Sequence, residues 1–171
     1  MATTHHMRAI GPAVLAGLRV RDDAGHGRDA FTDDEGGAPL RCCLRRSIPG
    51  ERMALVTYAP LRRWAAEGGV DPGPYDECGP VFIHAEECSG PAGDSAAPPV
   101  LHGARRGLRA YDSRGRILGG RLVEASRGRK GALEVDDALR ELFADPRVAL
   151  VHARAVEFGC FLVEFRRGAP A

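Results

Sequence analysis

Only one stretch of this chain, Val135 to Phe143, repeats its apolar residues at helical spacing. Val135, Ala138, Leu139, Leu142 and Phe143 fall on one face, Asp136 and Asp137 lie where the positive end of the helix dipole favours acidic groups, and Asp145-Pro146 stops the run. The other apolar segments are short and bounded by glycine, proline and aspartate, which predicts strands and turns. Val81-Phe82-Ile83-His84-Ala85 reads as a strand with Phe82 and His84 on one face and Val81 and Ile83 on the other. Leu40 to Leu44 and Met53 to Tyr58 read as two strands about a turn at Pro49-Gly50. Leu108 to Tyr111 and Arg116 to Val123 form a hairpin around Asp112-Ser113-Arg114-Gly115, and Val148 to Arg154 with Cys160 to Arg166 form a second one closed at Gly159. Arg127 to Gly131, Gly68 to Pro80 and Ser89 to Pro99 read as loops.

The fold class expected is therefore α+β: a mainly antiparallel sheet of hairpins with one principal helix packed on it, in a single domain over residues 38–167. Residues 1–37 are expected to be peripheral and 168–171 a tail. A chain of 171 residues removes roughly two thirds of its unfolded surface from water without needing disulfides or metals.

Of the 24 lysine and arginine residues only Lys130 is lysine. Guanidinium forks match carboxylates and phosphates in pairs, so this skew suits a small anionic partner, although a GC-rich coding bias gives the same composition. The 23 acidic residues are interspersed and the formal charge is +1, which excludes the basic footprint of nucleic-acid binding. Ile10 to Leu18 is too short to span a bilayer and Pro12 interrupts it; nothing around it resembles a secretory leader, so the expected location is cytoplasmic with no membrane partner. Five cysteines at irregular spacings argue for reduced thiols.

Three constellations carry chemistry. His84, Cys88, Cys42, Cys43, Cys78, His152 and Cys160 are metal-ligand types, but there is no Cys-x-x-Cys knuckle, and adjacent Cys42 and Cys43 on a strand would point to opposite faces; no metal is expected. A thiol nucleophile is the second, with Cys160 after Gly159 the first to test and His84 or His152 as its activator. The alternative for Cys160 is a core position in the last strand. In the third, Arg41, Arg109, Tyr111 and Arg154 grip an anion while His152 moves a proton; structural ion pairs with Asp76, Glu77, Glu86 or Glu164 are its alternative. Dinucleotide, phosphate-loop, nucleophile-elbow and zinc-protease motifs are absent, and no motif implies a cofactor.

Several segments, taken in order, carry a further signal: Pro39-Leu40-Arg41-Cys42-Cys43-Leu44, Pro49-Gly50-Glu51, Pro74-Tyr75, Gly79 to Ala85 with Cys88, Arg109-Ala110-Tyr111-Asp112, Val151 to Arg154 and Phe158 to Phe161. Together they resemble the bacterial family catalogued as domain of unknown function 1203, over roughly residues 38 to 167. Leu40 stands where relatives tend to have cysteine, and Cys78 where many have threonine or serine. The resemblance implies a single domain and no particular activity. The function expected is a small cytosolic protein, possible as an enzyme, that binds a small anionic metabolite in an Arg/His-lined pocket. The alternatives are a non-catalytic interaction or homodimer-forming protein, and a thiol- or metal-dependent enzyme.

Overall fold

A computed structural model describes residues 5–93 and 97–168, so part of the loop expected at Ser89 to Pro99 and most of the expected tail lie outside the described residues. The chain runs through β1 (His5–Arg8), α1 (Pro12–Leu18), β2 (Ala30–Asp33), β3 (Glu51–Tyr58), α2 (Pro60–Glu67), β4 (Gly79–His84), β5 (Ala104–Tyr111), β6 (Ile117–Ala125), α3 (Gly128–Ala144), β7 (Leu150–Ala155) and β8 (Phe161–Arg167). A five-stranded antiparallel sheet has the order β1-β8-β7-β5-β6 and a three-stranded one the order β2-β3-β4. The fold is α+β. None of the helices among the described residues is long and apolar enough to cross a membrane.

Strand parity sorts the larger sheet into two unlike faces. Leu108, Ala110, Val151, Ala153, Val163 and Phe165 lie under Val135, Leu139, Leu142 and Phe143 of α3 in one apolar core. The opposite face carries Arg109, His152 and Glu164 as cross-strand neighbours, beside Tyr111 and Leu150, which pack on Leu61 and Trp64 of α2. Phe161 leaves this face to join a second core with Leu18, Leu40, Met53, Val56, Val81 and Ile83, so the two sheets share an interior.

The structure departs from expectation in four places. Residues 40–46 form a tight turn instead of a strand: Leu44 N–H donates to Leu40 O at 3.0 Å, Leu40 N–H donates to Arg45 O at 2.9 Å, and Leu44 takes φ 57°. The loop expected at Arg127 to Gly131 is largely the first turn of α3, where a Cβ on Gly131 would sit 1.7 Å from Ser126 O; glycine is there to let the chain pass, not to break the helix. Two helices, α1 and α2, escape the periodicity because each is only seven or eight residues long; each has proline in its first turn, where the missing N–H costs nothing. Within the segment expected to be peripheral, His5–Arg8 and Ala30–Asp33 each supply an edge strand to one of the sheets, and Leu15 and Leu18 are buried.

His152 is fully buried, its ring centroid 5.0 Å from that of Tyr111 and 5.1 Å from that of Phe161, with Nε2 3.4 Å from Glu164 Oε2. Burial lowers its pKa below the usual imidazole value. The native state thus stays neutral where the unfolded chain takes up a proton, and stability falls as pH drops below about 6.5, by up to ~1.4 kcal/mol per pH unit for this one proton. Urea unfolding between pH 7.5 and 5.5 should show a loss of stability that is smaller in His152→Gln; equal slopes in the two proteins would contradict this.

Candidate functional site

The turn at 40–46 decides where the thiols go. Because the chain is turned there and not extended, Cys42 and Cys43 bring their sulfurs within 3.9 Å of each other, and both are buried. The premise that adjacent cysteines diverge fails because this segment is not extended. β4 runs alongside, since Arg41 N–H donates to Phe82 O at 2.9 Å, and this brings His84 over the pair. His84 Nδ1 is 3.3 Å from Cys42 Sγ and 3.8 Å from Cys43 Sγ, and the His84 backbone N–H donates to Cys42 Sγ at 3.3 Å.

Beyond β4 the chain bends, and two arginines from the N-terminal segment hold the bend. Arg19 donates to His84 O at 3.1 Å and Glu86 O at 2.8 Å, and Arg28 donates to Ala85 O. Clamped in this way, Cys88 swings back to the cluster: ligand atoms of Cys42, Cys43, His84 and Cys88 all lie within 4.8 Å of one another. A tetrahedral zinc ion with sulfur arms of about 2.3 Å has S–S edges of about 3.8 Å and S–N edges of about 3.6 Å. The spacings on Cys42, Cys43 and His84 fit that figure.

The imidazole is braced from behind. Glu51 Oε1 lies 3.1 Å from His84 Nε2, and Arg45 donates to both Glu51 oxygens at 2.5 and 3.0 Å, while Ile48 N–H donates to Oε2 at 2.8 Å. Arg45 above all holds the Glu51 pKa down at about 2, so the carboxylate is ionised and accepts the Nε2 proton, leaving the Nδ1 lone pair turned to the sulfurs. Hydrogen bonding between the thiols favours the Cys43 thiolate and keeps the proton on Cys42. Cys42 and Cys88 also line a cleft of about 500 Å³ with Ile10, Leu15, Arg19 and Glu87.

The anion-gripping set is partly brought together, on the polar face of the larger sheet. Arg109 Nη1 lies 3.0 Å from both Glu77 oxygens, and Arg154 Nη2 is 2.6 Å from Glu77 Oε2 while its Nη1 donates to Gly159 O at 2.9 Å. Tyr111 and His152 lie beside them, edge to face. A cavity of about 260 Å³ opens at Arg154, lined also by Tyr58, Glu77, Cys160 and Phe161. His152 does not line it, and among the described residues no histidine lines it to activate Cys160, whose thiol faces Phe158 O at 3.7 Å.

Arg41 and His84 lie elsewhere. Arg41 is 3% exposed and spends its donors on Phe161 O at 2.8 Å and on Pro39 O; burial lowers its pKa to about 10. Sequence reasoning missed Arg45 and Glu51 as parts of a site. Glu51 is visible only as the end of Pro49-Gly50-Glu51, whereas Glu77 enters the sequence reading as one of the four acids that could pair with the arginines, and it is the one that Arg109 and Arg154 meet.

The architecture and this cluster define a two-sheet α+β domain with a buried thiol–imidazole centre. A family model described as "Protein of unknown function (DUF1203)" matches residues 37–167, and the chain belongs to that family. The match spans both groups of side chains and leaves out β1, α1 and β2. No curated protein and no solved structure matches the chain.

The partners of Arg41 make it a structural residue in its own right. Arg41→Ala should lower unfolding stability by about 3 kcal/mol, because the Phe161 carbonyl is left buried without a donor. Urea denaturation checks this; an unchanged midpoint would return Arg41 to a role in binding alone.

Proposed function

We propose that this domain binds one thiophilic metal ion, with zinc the best match, through Cys42, Cys43, His84 and Cys88. The observation that supports it is the convergence, within 4.8 Å, of three thiols and an imidazole from two separate chain segments. Three sulfurs and one nitrogen are the donor set of closed zinc centres, and softer thiolates also favour copper(I). Glu51 serves as the carboxylate that orients a metal-bound imidazole, and Arg45, alongside Cys43, offsets the excess negative charge of three thiolates around a dication. With four protein donors the ion has no open position for water, so its part is to hold the turn at 40–46, the end of β4 and Cys88 together. The cleft that reaches Cys42 and Cys88 gives the ion and its competitors access to the cluster.

A second reading has a specific observation behind it. The series Cys42 Sγ, His84 Nδ1 at 3.3 Å, and His84 Nε2, Glu51 Oε1 at 3.1 Å, is that of a thiol nucleophile with an oriented base. Cys88 separates the two readings, because a nucleophile of this kind does not use it.

Cobalt(II) added to the reduced, chelator-stripped full chain should give thiolate-to-metal absorption that saturates at one ion per chain and is displaced by zinc. Cys88→Ser and His84→Ala should each weaken zinc binding at least tenfold, and Glu51→Gln by about 10- to 100-fold through loss of the brace. Absence of thiolate-to-cobalt absorption, or zinc affinity indifferent to Cys88→Ser, would overturn the metal reading.

A further inference from the structure

We propose that Arg109 and Arg154 form a binding site for a small oxyanion, a carboxylate or a phosphate, and that the Glu77 carboxylate fills this site from within the chain. The site is separate from the Cys/His cluster and independent of it. Adjacent strands β5 and β7 each present one guanidinium to the same carboxylate, at 3.0 Å from Arg109 and 2.6 Å from Arg154. Two cations held side by side against a single anion leave an excess positive charge. Among the described residues lining the cavities on either side of Arg154, of about 260 and 450 Å³, no other carboxylate offsets it; the remaining charged residues there are Arg109 and Arg121, and Arg121 has its own partner in Glu141 at 3.2 Å. Arg154 is held rigidly, its side chain only 13% exposed and one N–H anchored on Gly159 O. Its Nε is buried with no hydrogen-bond partner among the described residues, a donor that Glu77 does not satisfy.

Glu77 is suited to yield. Its side chain is 45% exposed, and it lies between the short 3-10 turn at Gly73–Tyr75 and β4, in backbone with no regular structure. Swinging its carboxylate into solvent therefore disrupts neither sheet. The space behind it, at ~30 Å³ for each water-sized group, admits a ligand of roughly eight non-hydrogen atoms. Paired guanidiniums grip a planar carboxylate or a tetrahedral phosphate in fork geometry, and the apolar wall of Tyr58 and Phe161 leaves room for a short carbon skeleton.

Calorimetric titration of the full chain at constant ionic strength, with sodium phosphate in one arm and sodium acetate in the other, tests the site. Glu77→Gln removes the charge of the internal competitor and should tighten binding of the preferred anion at least tenfold over the unsubstituted protein; the arm that responds identifies the oxyanion. Arg154→Gln placed in the Glu77→Gln protein should abolish the gain, and Arg109→Gln, at a more exposed position, serves the same purpose if the Arg154 variant does not fold. Failure of Glu77→Gln to bind either anion, or binding that survives loss of either arginine in a folded protein, would overturn the proposal.

Discussion

Arg41 is the residue on which the two sheets meet. Its backbone N–H donates to Phe82 of β4 in the smaller sheet, its side chain donates to Phe161 at the start of β8 in the larger one, and its carbonyl accepts from Ile10 just before α1. A guanidinium can do this because it offers several donors in a fixed plane, while its charge is kept against the cost of burial by the carbonyl dipoles it faces. The next two residues along the chain are Cys42 and Cys43. The segment that fastens the sheets is thus the one that aims the thiols, so the cluster is as rigid as the interface it grows from.

Arginine elsewhere in the molecule is used in the same way. Arg19 and Arg28 fix three successive carbonyls after β4, and the buried Arg106 donates to Leu101 O at 3.0 Å. These side chains satisfy backbone acceptors at turns and strand ends that no neighbouring strand pairs. Much of the arginine excess is therefore architectural. Arg109 and Arg154 differ because both turn to the same carboxylate on the polar face of a sheet.

Local periodicity made part of this legible. Alternation in β4 put Val81 and Ile83 together on one face, the face that is buried, and alternation in β5 and β7 put Arg109 with Tyr111 and His152 with Arg154, because a period of two needs no knowledge of the partner strand. The turn at 40–46 was hidden by its own composition. Leucine at the left-handed position of Leu44 carries none of the glycine or asparagine signal that marks such turns, and the apolar run around it imitates a strand. Likewise nothing near Cys88 shows that it turns back on His84; the clamp that makes it do so comes from Arg19, 67 residues before Glu86. Glu77 is one of four acids that the sequence offers as partners for the arginines, and only the tertiary fold singles it out as the counter-ion of two strands.

The proposed metal centre requires three thiols and one imidazole in a single coordination shell. X-ray absorption spectroscopy of the zinc-loaded protein measures that shell directly. A Cys42/Cys43/His84/Cys88 shell should give about three sulfur neighbours near 2.3 Å and one nitrogen near 2.0–2.1 Å. A shell of oxygen and nitrogen without sulfur would contradict it.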